Sequence, residues 1–502
     1  MRASTSFAWV GLIGAMGAFA LACPASLDDR CAEGACAASA DGGDTGTNTD
    51  ALPPGCDPGQ ELKGQPACLN DDFAVFVSPF GRPENAGTKA APVNTLKRAL
   101  ELTTSAKQRI FVCDGTYSER ILLAAAVSLY GGLSCSDGQW QSSDGRASVG
   151  TLQEPGYALD VQKVAGAFEI ADLEFVAGNG SSESPNSVAA RVVDTPGLRL
   201  KRVALVAGDG AQGKEGTNGA TGEHRSNGGQ PLDPKGQAAV AGTGGTELTC
   251  SCTTGGSTTG GAGGGALNGT GSPGLPNLSG AAPADGQGGS GGSTNCVLGL
   301  GHEGASAPNK GAAPSPTKLG EVVDGSWVPQ AGTNGDNGAP GQGGGGGGAN
   351  NGGGGGGGCG GCGGSGGAGG GGGGASIALL ALNAPVTLVA STLMTANGGR
   401  GGKGGSGGSG GTPGGGGNGG TGNPNNGCQG GQGGRGGDGG HGSGGAGGLS
   451  VGILFQGPPP KLEGDTKSVQ NGDKGAGGAP ATGSANSGPD GRKEAVLDIS
   501  AL

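Results

Sequence analysis

The sequence predicts an all-β protein, a parallel β-helix interrupted by long glycine-rich low-complexity insertions, and three observations lead there. The first is an internal repeat. Phe168–Gly180 aligns with Leu198–Gly210 at an offset of 30, and Val386–Gly398 follows a further 188 residues on. The second is alternation within each copy, Phe168 and Ile170 and then Leu173 and Phe175, the period of strands that turn one face inward. Units of about 30 residues cannot bury that face alone and must stack, and a parallel β-helix is the simplest way to do so. The third is glycine: 127 of 502 residues, with 29 prolines and 3% aromatics, which excludes one packed core along the whole chain.

At the amino end, Arg2 precedes an apolar run from Phe7 to Ala22 that glycines 11, 14 and 17 make too short and broken to span a bilayer. We expect residues 1–22 to be a signal peptide. The run closes Ala20-Leu21-Ala22-Cys23, which resembles the lipobox of bacterial lipoproteins, with Leu21 one place later than usual. That resemblance implies acylation of Cys23 and an exported protein of the cell envelope, anchored by lipid to the outer membrane. Residues 23–72 read as a Cys-rich acidic tether.

Ordered sequence is expected from Phe73. Ala74–Val77 is strand-like, and Asn94 is placed to cap a short helix with Leu96, Ala99 and Leu100 on one face. Ile110–Val112 and Val127–Tyr130 read as strands, the second stopped by Gly131-Gly132. Phe76-Val77-Ser78-Pro79-x-Gly81, Asn85-x-Gly87-Thr88, the helix with Thr95-Leu96-x-x-Ala99-Leu100, Ile110-x-Val112-x-x-Gly115-x-Tyr117 and Val127–Gly132 together resemble the opening of exported pectin-lyase-like proteins. The resemblance covers residues 73–135, departs at Pro83 where an Asp is usual, and implies a right-handed parallel β-helix with an N-terminal cap helix. The expected divisions are 73–210 for the first part of the β-helix, 211–375 for a glycine-rich insertion and 376–398 for the next coil. A second insertion follows at 399–448, then the last coil and C-terminal tail at 449–502.

There are 13 cysteines, an odd number for an exported chain, and lipidation of Cys23 leaves twelve to pair. The disulfide candidates are Cys31, Cys36, Cys56, Cys68, Cys113, Cys135, Cys250, Cys252, Cys296, Cys359, Cys362 and Cys428, with Cys113 and Cys135 expected as partners. Cys250-Ser-Cys252 and Cys359-Gly-Gly-Cys362 have the spacing of zinc thiolates, but they are far apart in glycine-rich sequence and read as disulfides.

The insertions carry glycine at period three, as at Gly210, Gly213, Gly216, Gly219 and Gly222, and as a strict two-in-three repeat from Gly398 to Ser409. Three residues per turn is the polyproline-II period. Two readings stay open, a bundle of antiparallel extended glycine helices and a flexible coil. Both long insertions are expected to leave from one edge of the solenoid and, if ordered, to lie against each other, with Arg400, Lys403, Arg435 and Asp438 on the exposed edge. Gly404–Gly408 fits G-x-S-x-G and Gly433–His441 resembles a calcium nonapeptide, but neither has the surroundings those motifs need.

Net charge is −11, which argues against nucleic acid as a partner. At the repeat offset Glu169 falls under Arg199 and Asp172 under Arg202, a pattern we read as rung-to-rung ion pairs rather than a catalytic acid and base. No catalytic, cofactor-binding or metal residue is assigned. The expected function is a non-catalytic surface-anchored lipoprotein, structural or adhesive, with glycans or other envelope proteins as partners. The alternative is a carbohydrate-binding module or polysaccharide lyase or hydrolase on the same β-helix.

Overall fold

The computed structural model describes residues 53–502, apart from 58–59, 136–137, 152–155, 226–229, 231, 266, 293–294 and 484–485. The expected signal peptide, Cys23, Cys31 and Cys36 lie outside the described residues.

The architecture is all-β and dominated by three parallel sheets, which the chain visits in rotation. One full turn runs Gly156–Gln162 (third sheet), Phe168–Ala171 (first) and Leu173–Ala177 (second). The next turn is Ser187–Val193, Leu198–Lys201 and Ala204–Val206, then Ser376–Leu382, Thr387–Val389 and Thr392–Thr395. A last turn comprises Ser450–Gln456, Lys461–Glu463 and Lys467–Gln470, and Lys493–Asp498 closes the third sheet. Registers follow the repeat: Ile170 pairs in column with Leu200, and Leu200 with Leu388, across an insertion of more than 160 residues. Inward columns such as Phe175, Leu205 and Leu393 stack at full burial, so each coil covers the apolar face its neighbours cannot cover alone.

Corners between sheets turn on single residues in the left-handed region. Asp172, Arg202 and Ala390 (φ 58°, 52° and 46°) occupy one column, which Gly464 (φ 57°) completes. Ala390 has no side-chain polar group to offset that conformation. We expect Ala390→Gly to stabilise the fold by roughly 0.5–1 kcal/mol after the entropic cost of glycine, read as a raised midpoint in denaturant. An unchanged or lowered midpoint would count against this account of the corner.

The N-terminal end departs from expectation in three places. The helix spans Leu96–Leu102, but its cap is Thr95, whose Oγ1 accepts from the Arg98 N–H at 3.2 Å, rather than Asn94. Gly131-Gly132 does not stop its strand, which runs Ser128–Ser134; glycine is needed at 131 because a Cβ would collide with the Asp172 carbonyl oxygen of the next coil. The segment 60–72, expected to be tether, packs on the solenoid, held by Cys56–Cys68 and by a short 3-10 turn, Leu62–Gly64.

Both long insertions leave between the second and third sheets, as does the return 471–492. An Asx ladder marks the exits. Asn179 Oδ1 accepts from Asp209 N–H (2.8 Å), Asp209 Oδ1 from Asn397 N–H (2.9 Å) and Asn397 Oδ1 from Asp473 N–H (2.9 Å). Beside it, buried Ser187 and Ser376 accept from Gly208 and Ala396 N–H groups at 2.8 and 2.9 Å. Each arm is thereby fixed to the coil below before it leaves the solenoid.

Candidate functional site

Two surfaces hold the functional groups, and the larger is built by the arms. They are ordered into a slab of extended segments joined by backbone hydrogen bonds at every third residue. Gly213, Gly216, Gly219 and Gly222 donate to Arg400, Lys403, Ser406 and Ser409 at 2.7–3.0 Å. Gly399, Gly402, Gly405, Gly408 and Gly411 donate to Gly374, Gly371, Ala368, Ser365 and Cys362 at 2.7–2.8 Å. The two insertions thus lie against each other, and the flexible-coil reading fails. The purely antiparallel bundle also needs correcting: 398–411 runs antiparallel to 362–374 but parallel to 213–222.

A three-residue turn presents three faces, so the number of glycines per triplet follows the number of covered faces. The run 353–374 is nearly all glycine because it is central. It bonds to 211–220, 332–341, 399–420 and 434–446, which leaves room for only a few side chains, Cys359, Cys362, Ser365 and Ala368. In 398–409 two glycines per triplet are covered and the third residue, Arg400, Lys403 or Ser409, is exposed. At 210–222 one glycine per triplet suffices at the slab's edge. None of the slab glycines at 332–374 or 398–448 occupies the left-handed region. They are required for space, since a Cβ at Gly361, Gly364 or Gly404 would meet a neighbour's carbonyl oxygen inside van der Waals contact.

Non-glycine side chains finish the backbone accounting. Asp438 Oδ1 accepts from Gly410 N–H at 2.7 Å, His441 Nδ1 from Gly407 N–H at 3.0 Å and Asn337 Oδ1 from Gly366 N–H at 2.9 Å. The calcium-like stretch 433–441 therefore uses its Asp and His as amide acceptors, and Ser406 lies on an extended segment rather than a strand-to-helix turn. Three disulfides staple the slab: Cys250–Cys359, Cys252–Cys362 and Cys296–Cys428. The first two join the pairs that mimic a zinc site, and Cys113–Cys135 forms as expected in the solenoid. Among the described residues no group of three or more His, Cys, Asp or Glu side chains is placed to hold a metal.

The second surface is a charge ladder on the first sheet and its corner. Arg199 lies one rung above Glu169, with Nε 3.4 Å from its carboxylate, and reaches Glu463 from the other side at 3.6 Å. Asp172 and Arg202 sit on the corner rather than on strands, and their pair is bidentate at 2.7 and 2.6 Å. Asp172 is 6% exposed and also receives Lys63 at 3.3 Å; Glu61 pairs with Arg202 and with Lys201. Sequence reasoning found the rung pairs and missed Glu61 and Lys63, whose only signal was a charged stretch closed between Cys56 and Cys68. It also missed Asp160–Arg191, a bidentate pair on the third sheet (2.9 and 2.6 Å) with Arg191 stacked 4.1 Å from the Tyr157 ring centroid. Arg191 donates to Ser326 Oγ at 3.2 Å, which docks the hairpin Gly320–Pro329 on the solenoid.

Burial raises the pKa of Glu169, and Lys201, Arg199 and Arg202 oppose that shift without cancelling it. A carboxyl that holds its proton more tightly when folded loses stability as pH rises through the ordinary carboxylate value, about 4.3. We therefore expect Glu169→Gln to raise the unfolding midpoint at pH 7, with the gain disappearing below about pH 4, where the wild-type carboxyl is neutral too. A midpoint lowered at pH 7 would mean that the pair with Arg199 outweighs burial.

A shallow cavity of about 520 Å³ between the helix and the third sheet is lined by Lys97, Leu100, Glu101, Arg120 and Leu122. No family model, curated protein or solved structure matches this chain.

Proposed function

We propose that this protein is a non-catalytic, surface-anchored lipoprotein, structural or adhesive, whose right-handed, pectin-lyase-like β-helix carries a stiff glycine slab away from the outer membrane. The supporting observation is the slab itself. Its central run 353–374 spends its backbone on neighbouring segments, and at about 3.1 Å per residue it extends roughly 65 Å. Such a plate, stapled by disulfides, suits spacing and display in an oxidising compartment. The conspicuous carboxylates are engaged in holding rungs and corners together: Asp172 by Arg202 and Lys63, Asp160 by Arg191.

Anchoring is tested by fractionation. Cys23→Ser is expected to move the protein from the membrane fraction to the soluble fraction, and retention in the membrane until detergent is added would sink the lipid anchor. One observation favours the second reading, a glycan-acting site: a half-buried carboxyl with a raised pKa is a property of general acids, and Glu169 has it. Depolymerisation of a polyuronide by the purified protein, abolished in Glu169→Gln, would establish that reading over ours.

A further inference from the structure

The slab ends in an apolar tip without a cationic side chain. Val240, Leu267, Val297 and Leu298 are 68, 83, 73 and 72% exposed, and Leu300 beside them is 48% exposed. Backbone bonds tie them to one end of the slab, the end away from the solenoid. Leu267 N–H donates to Asn350 O (3.1 Å), Ala239 N–H to Asn418 O (2.9 Å) and Ser290 N–H to Leu298 O (2.9 Å), while Gly348 N–H reaches Gly299 O at 2.7 Å. Asn350 in turn donates its side-chain amide to Asn426 O at 3.2 Å, and Cys296–Cys428 clamps the loop carrying Val297 and Leu298. The segments that converge here, 236–301, 337–399 and 404–434, contain no Lys or Arg and only two carboxylates, Glu247 and Asp285. Scattered exposed aliphatics need no explanation, but several gathered at one end of a rigid plate do.

We propose that the tip is a self-association surface whose partner is the tip of a second copy of this chain. In a two-fold contact each patch meets itself, so a densely charged patch repels its copy, whereas one led by exposed aliphatic side chains is self-complementary. The chain carries a net charge of −11, and the distal slab is where two copies can meet while their acidic bodies stay apart. A phospholipid surface fits less well. The tip offers no Trp or Tyr for the interface and no Lys or Arg for headgroups. The clamped loop loses little freedom on contact, which favours association through a small patch.

The test uses the full exported chain carrying Cys23→Ser, so that no acyl chain contributes, in sedimentation equilibrium over a concentration series. A reversible dimer is expected with a Kd on the order of 10 μM, unweakened by salt, since without a cation at the tip no ion pair crosses the interface. Leu298→Asp and Val297→Asp should each weaken it by about 10-fold or more, and Arg400→Ser and Lys403→Ser, on the slab's edge, should leave it unchanged. A monomer at every concentration overturns the proposal, as does a dimer indifferent to both aspartates or one dispersed by salt. Flotation of the same protein with phosphatidylcholine vesicles, lost in Leu298→Asp, overturns it in favour of a lipid surface.

Discussion

Replacing Gly364 with alanine is expected to cost roughly 4 kcal/mol or more and to expose the amides of the glycine slab to fast hydrogen exchange, whereas Gly415→Ala should change stability by less than about 0.5 kcal/mol. The substitution is chemically the same and neither glycine is in the left-handed region, so space alone separates them. A methyl on Gly364 would strike the carbonyl oxygens of Gly408 and Ser409; around Gly415 nothing lies within 4 Å. Gly364 also donates to Gly437 (3.0 Å) and accepts from Gly338 (2.8 Å), so forcing one segment outward stretches bonds to its neighbours in turn. Equal stability of the two variants, or equal exchange across 353–374 and 399–448, would refute close packing as the reason for the glycines.

Removing both Cys250–Cys359 and Cys252–Cys362 should cost about 7 kcal/mol, although either alone should cost only about 2 kcal/mol. Each closes a loop of more than a hundred residues, with sequence separations of 109 and 110. They are interleaved, Cys252 lying inside the first loop and Cys362 just beyond it, so once one is formed the other closes only the few residues between neighbouring cysteines. The chain-entropy estimate for the long loop is therefore lost only when both are gone. Urea midpoints of Cys250→Ser/Cys359→Ser, Cys252→Ser/Cys362→Ser and the fourfold variant measure this. Strict additivity of the two pairs would show that the stabilisation is local to each bridge.

Much of the solenoid was legible in the residues. The offsets that align Ile170, Leu200 and Leu388 are the registers the sheets adopt, because inward positions on successive coils must coincide to bury each other. The same offset located the Glu169–Arg199 and Asp172–Arg202 pairs. Asp160–Arg191 was also readable, since Arg191 stands one coil above Asp160, but only if the strand that precedes each repeat copy is aligned separately, at an offset of 31 rather than 30. Glu61 and Lys63 were not readable. They reach Arg202 and Asp172 from a segment outside the repeat, and no periodicity links them.

The arms divide along a physical line. Sequence alone determined the period of three and excluded ordinary strands and helices, because glycine at that period leaves side chains nothing to pack and strands no alternation to follow. It also determined that both arms leave from one edge, since the coils that flank them must stack. Whether the arms are ordered, and that parallel and antiparallel neighbours mix, was decided by tertiary structure. An extended helix of this kind makes no hydrogen bonds within itself, so the bonded amides of 353–374 take their partners from segments distant in sequence. Composition cannot distinguish a glycine run that has four neighbours from one that has none; the difference lies in those contacts.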